Sequence, residues 1–141
     1  MKENGVSAMS AVCRDEHGKY MGSSSLVLEG ILDRHSLDVI ACREGMALAE
    51  DLLVQDVIIS CENKWAIKEI KDLGGGIQAS IIKEIHSRLS RFNSCFFNSE
   101  SRSTLLEATL LGQFSVGLSL GRHVWLIHPH DESCIPVMFG Q

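Results

Sequence analysis

The stretch DVIACREGMALAEDLLVQDVIISCE, from Asp38 to Glu62, most limits what this chain can fold into. Over residues 37–53 the apolar side chains Val39, Ile40, Met46, Ala47 and Leu53 recur at helical spacing on one side. Arg43, Glu50 and Asp51 fall on the other. A short turn follows, and then residues 54–61, VQDVIISC, which are apolar and β-branched. That composition predicts a strand buried on both faces. A helix feeding such a strand is half of a β-α-β unit, which demands parallel pairing. The unit also sets Asp38, early on the helix, and Glu62, at the strand end, where they can face each other. Carboxylates grouped on a rigid scaffold are the usual way to hold Mg²⁺ or Mn²⁺ for phosphodiester chemistry.

The flanks complete a mixed α/β layer fold. Residues 6–13 and 19–28 read as two strands around the turn Arg14-Asp15-Glu16-His17-Gly18, an antiparallel hairpin, with residues 30–36 as a loop. Residues 64–73 read as a helix stopped by Gly74-Gly75-Gly76, and residues 80–92 as another with Ile81, Ile82, Ile85 and Leu89 inward. Residues 95–98 suggest a strand and residues 103–120 a last helix. Residues 121–141, with two prolines and clustered histidines, read as a tail. The order is β-β-α-β-α-α-β-α.

With 141 residues the chain can bury one domain's core, and 45% hydrophobic with 22% charged residues is a globular composition. A net charge of −5 argues against nucleic-acid binding by bulk electrostatics, though a local basic groove is compatible with it. Cys13, Cys42, Cys61, Cys95 and Cys134 form no C-x-x-C pair, which predicts free thiols in a reducing compartment. The first residues lack a signal-peptide core, and no apolar run reaches membrane-spanning length. The expected setting is nuclear or cytoplasmic, with no membrane partner.

Four segments in order, AVCRDEHGKYMGSSS, ACREGMALAEDL, DVIISCEN and FSVGLSLGRHVWL, carry a resemblance spanning about Ala8 to Trp125. Here the chain resembles the ribonuclease H-like domain, in the plant form related to retroelement reverse transcriptases. The resemblance implies a three-layer fold over residues 6–125, followed by the tail at 126–141. Its mixed sheet carries the antiparallel hairpin. The implied activity is hydrolysis of the RNA strand of an RNA–DNA hybrid by Mg²⁺ or Mn²⁺ held on four acidic positions. Of these, the second falls on Asp38 in place of Glu, and the third on Glu62 in place of Asp. The fourth falls on Thr109, with Leu105 at the usual Asn. The first belongs to a central strand preceding the hairpin, which this chain lacks. Asp38 and Glu62 are thus the implied catalytic and metal-ligating residues.

An Asp–Glu exchange moves a carboxylate by roughly 1.5 Å, and misplacement by about 1 Å can cost on the order of 10²-fold in rate. The resemblance therefore implies ancestral hydrolysis, degraded here. A non-catalytic nucleic-acid or protein interaction module is the alternative.

Lys64, Lys68 and Lys71 share a helical face beside Trp65, while Lys83, Arg88 and Arg91 decorate the next helix. The resemblance assigns Lys64, Lys68, Lys71 and Arg88 to hybrid phosphates. A solvated face interleaved with Glu69, Asp72 and Glu84 explains the same pattern. Asp38 likewise fits a helix-dipole acid, and Glu62 a surface carboxylate. His123, His128, His130 and Cys134 match no zinc spacing. Cys61 reads as a small buried thiol.

Overall fold

A computed structural model describes residues 5–30, 33–72, 79–101, 105–126 and 137–139. Strands β1 (Val6–Arg14) and β2 (Tyr20–Glu29) form the expected antiparallel hairpin. Its turn is closed by Asp15, whose Oδ1 accepts from the amides of His17 (2.8 Å) and Lys19 (2.9 Å). Gly18 takes the left-handed conformation the turn requires, at φ +80°.

Helix α1 (Arg34–Asp51) starts on Asp33, whose carboxylate accepts from the Ser36 amide at 2.7 Å. It ends in a Schellman closure, with Leu53 N–H donating to Glu50 O and Val54 N–H to Ala49 O. Leu53 occupies the left-handed position that glycine usually fills (φ 60°) and is 82% exposed, so it does not belong to the buried side predicted for it. The burial of α1 is also less one-sided than its sequence implied. Ser36 and Glu44 are buried together with Val39, Ile40, Cys42, Met46, Leu48 and Ala49, because the helix is packed between the strands and its neighbouring helices.

Strand β3 (Asp56–Cys61) pairs in parallel with β4 (Ser94–Ser99). Between them in sequence lie α2 (Lys64–Lys71), α3 (Ala79–Arg88) and a 3₁₀ turn at Leu89–Arg91. The prediction that β3 is buried on both faces does not hold. Ile59 and Cys61 face the core, while Ile58 is 64% exposed. Among the described residues no layer covers the Ile58 side of β3. The core itself joins Met46, Ile59, Ile70, Ile82, Ile85 and Phe97 from α1, both strands of this pair and the two following helices. Residues 74–76, predicted to stop α2, lie outside the described residues.

Helix α4 (Leu106–Ser115) is shorter than the predicted 103–120. After it the expected tail gives way to structure. Strand β5 (Gly121–Leu126) pairs antiparallel with β2, and β6 (Val137–Phe139) pairs with β5. The strands therefore form a sheet ordered β1-β2-β5-β6 and a separate pair β3-β4. Among the described residues no strand lies between β1 and β3. No helix among them is long and apolar enough to cross a membrane.

The serines of β2 explain how helices approach the sheet closely. Ser23, Ser24 and Ser25 are fully buried, and each has a partner. Ser23 pairs with the Tyr20 hydroxyl, Ser24 donates to Glu44, and Ser25 meets Ser10 and Ser115. Small hydroxyls buried and satisfied in this way cost little.

Candidate functional site

Asp38 and Glu62 are brought to one place, as the sequence implied, but an arginine stands between them. Arg34, one turn before Asp38 on α1, sets Nε at 3.8 Å from Asp38 Oδ1 and a terminal nitrogen at 3.8 Å from Glu62 Oε1. Asn63 completes the arrangement. Its Oδ1 caps α2 by accepting from the Trp65 and Ala66 amides, and its Nδ2 donates to Asp38 Oδ2 at 3.1 Å. His35 joins from α1, bonded to Glu69 at 2.6 Å and 3.3 Å from Asn63. Cys61 is buried beside this group, its thiol donating to Asn63 O at 3.5 Å. The buried-thiol reading of Cys61 holds.

Burial pushes the Asp38 carboxyl above the usual carboxylate range; the Asn63 hydrogen bond and Arg34 pull it down, and nearby Glu62 adds to the rise. A raised folded-state value stabilises the fold below the ordinary carboxylate range, and that contribution is lost as pH rises through the raised value. At neutral pH the ionised Asp38 is therefore a cost. Asp38→Asn keeps an acceptor for Asn63 and removes the charge. The variant is expected to melt at or above the parent's Tm at pH 7, the difference vanishing as pH falls below about 4. A melting series across pH checks this, and a lower Tm for the variant at pH 7 contradicts it.

The resemblance implies Mg²⁺ or Mn²⁺ on this ground, and the residues present do not fit it. Octahedral oxygen coordination needs several converging carboxylates. Among the described residues no group of three or more His, Cys, Asp or Glu side chains is placed to hold a metal. Thr109, at the fourth position, turns its hydroxyl to Leu105 O at 3.3 Å. The cation facing Asp38 and Glu62 is the Arg34 guanidinium, which sequence reasoning did not single out. Its i,i+4 spacing to Asp38 was the available signal.

The basic residues separate into two groups. Lys64 and Lys71 are exposed on α2, with Lys64 Nζ 5.7 Å from the ring centroid of Trp65, itself 65% exposed. Lys68 shares that face but pairs with Asp72 at 2.8 Å. Arg88, expected to meet phosphate, is instead held by Glu84 and Glu50. Arg43 joins the same network through Glu84, and Arg91 through Glu50, tying α3 to α1. Of the histidines, His123 is buried on β5, bonded to Ser119 O and stacked on Trp125. His128, His130, Asp131, Glu132 and Cys134 lie outside the described residues.

The antiparallel sheet carrying the hairpin, the parallel pair β3-β4, α1 packed against both and the acidic pair at the α1–β3 junction form a ribonuclease H-like fold. The chain superposes on the crystal structure of RNase H1 from the halophilic archaeon Halobacterium salinarum NRC-1 with a TM-score of 0.74. That likeness has 13% identity over 84% of this chain and 92% of the other, and it concerns the fold alone. The reverse transcriptase-like family model matches residues 1–115, and the chain belongs to that family. No curated protein matches it.

Proposed function

We propose that this chain is a ribonuclease H-type domain that binds RNA–DNA hybrid through the exposed face of α2 and does not hydrolyse it. The family and the fold support the first half. The observation that carries the second is Arg34, set between Asp38 and Glu62 where the ancestral chemistry needs a metal. Binding falls to Lys64, Lys68 and Lys71, with Trp65 available to stack on a base or sugar. Arg88 is left out of this role, since two glutamates already neutralise it. The plant retroelement lineage that the sequence resembles, and a nuclear or cytoplasmic setting, belong to the same reading.

Hybrid affinity measured against salt tests this. The parent should show log K falling linearly with log salt, and Lys64→Ala with Lys71→Ala should flatten that slope by about one unit per lysine. An unchanged slope in the double variant would remove α2 as the contact surface.

One observation favours the runner-up, a protein interaction module. Leu106, Leu110 and Phe114 lie at i, i+4 and i+8 on α4 and are 49%, 54% and 55% exposed, an apolar stripe facing outward.

A further inference from the structure

Gly45 and Ile59 show how closely α1 lies on β3. A methyl group added at Gly45 would already touch Ile59 Cδ1 at 3.4 Å, so the helix rests on the strand through a bare backbone. Helix and strand run in opposite directions. A second contact ties them further along, where Asn63 Nδ2 donates to Asp38 Oδ2 at 3.1 Å. Between these two ties each element carries a cysteine. Cys42 lies three residues before Gly45, about 4.5 Å along the helix. Cys61 lies two residues beyond Ile59, about 6.6 Å along the strand and on the same face. Both thiols are free and belong to one buried cluster, Cys42 at 1% and Cys61 at 8% exposed.

We propose that Cys42 and Cys61 are a modification site, a dithiol that hydrogen peroxide oxidises to a disulfide joining α1 to the end of β3. The covalent demands are narrow, with Cβ atoms near 3.8 Å apart and Cα atoms within about 7 Å. A helix comes that near to a strand only where small side chains lie between them, as Gly45 does here.

The two thiols are not equivalent. Cys61 is the more exposed and stands at the strand end beside Glu62, whereas Cys42 lies deeper in the core. Interaction with the Cys42 thiol lowers Cys61 below the usual thiol range, while interaction with Cys61, together with burial, raises Cys42 well above it. Cys61 is therefore the thiolate that attacks. Its sulfur takes one peroxide oxygen as the O–O bond breaks, giving a sulfenic acid, and the departing hydroxide picks up the proton that Cys61 released. The Cys42 sulfur then attacks Cys61 Sγ, and its proton leaves with the sulfenic hydroxyl as water. Two thiols become one disulfide, and one peroxide becomes two waters. Cys61 also loses the hydrogen it donates to the backbone oxygen of Asn63, the residue that caps α2.

The full 141-residue chain, freshly reduced, is treated with hydrogen peroxide, and its remaining thiols are alkylated. Trypsin digestion without reductant is then followed by mass spectrometry. Cleavage after Arg43 and Lys64 puts the two cysteines on separate peptides, residues 35–43 and 44–64. The expected product is these two joined, with both free thiols lost in step and both restored by dithiothreitol. Cys95, which burial pushes up to about 11, and Cys13, which burial also raises, should stay alkylatable over the same interval. Cys42→Ala should abolish the joined peptide and leave a Cys61 sulfenic acid that dimedone traps. Cys61→Ala should leave Cys42 unoxidised. Mixing isotope-labelled with unlabelled chains shows whether the joined peptides come from one chain. The proposal is overturned if Cys61 of the parent oxidises while Cys42 stays alkylatable, or if either joins another cysteine. Joined peptides that pair labelled with unlabelled chains overturn it too, as does oxidation seen only once the chain is unfolded in urea.

Discussion

Arg122→Met should destabilise the protein by about 3–5 kcal/mol, the largest single-residue loss expected in this fold. Arg122 lies on β5 and donates through Nε to Glu44, which is 4% exposed on α1 and also accepts from Ser24 at 2.8 Å. A second arginine nitrogen stands 2.7 Å from Asp51 at the end of the same helix. Removing the guanidinium strands a carboxylate in the interior between sheet and helix, and a buried unpaired charge costs far more than the pair contributes. Asp51 is partly exposed and can recover water; Glu44 cannot. The double variant Glu44→Met with Arg122→Met should therefore regain most of the loss, because it removes the orphaned charge along with its partner. Urea melts check both, the single variant lowering the midpoint at unchanged slope. A single-variant loss below about 1 kcal/mol would show that the pair is hydrated and not buried.

Met46→Ala should cost about 2–5 kcal/mol. Met46 has no exposed surface and sits in the cluster where α1 meets Ile59 of β3 and Ile82 and Ile85 of α3. Interiors are packed too densely for the surrounding side chains to close the gap fully. The loss should appear as a lower urea midpoint, with the same far-ultraviolet circular dichroism spectrum before the transition. A cost under about 1 kcal/mol would mean that the site collapses freely, with the two sheets less firmly joined through α1 than their packing indicates.

How much of this was legible in the sequence depended on how local each cause was. The hairpin, the body of α1 and β3 were readable because the turn at Asp15 and Gly18, the helical period of residues 37–53 and the β-branched run DVIISC act over a few residues; the first turn of α1, capped by Asp33, lay in what read as a loop. The meeting of Asp38 with Glu62 followed from the helix–strand unit and the family resemblance together. Strand β5 was not readable. GRHVWL is short and carries Arg122 and His123, which look like surface residues until Glu44, 78 positions away, is known to face the first. The partners of Arg88 were hidden in the same way, since its pairing with Glu50 joins two helices that no periodicity relates. The exposure of Ile58 was also hidden. A run of β-branched residues reports a strand's preference, whereas burial of both faces depends on what packs over it, and among the described residues nothing packs over the Ile58 side of β3. Arg34 is the instructive omission. As an exposed basic residue in a stretch read as a loop it offered only its i,i+4 spacing to Asp38, yet its position between two acids bears most on what the site can do.

Incubating the purified chain with an end-labelled RNA–DNA hybrid in Mg²⁺, and separately in Mn²⁺, tests the central claim most directly. The protein should be at a concentration where the hybrid is bound. The expected result is a retained complex with RNA cleavage no faster than in the Asp38→Asn variant. Metal-dependent cleavage that Asp38→Asn or Glu62→Gln abolishes would contradict the account, for it would mean that Arg34 yields its place to a metal and that two carboxylates suffice.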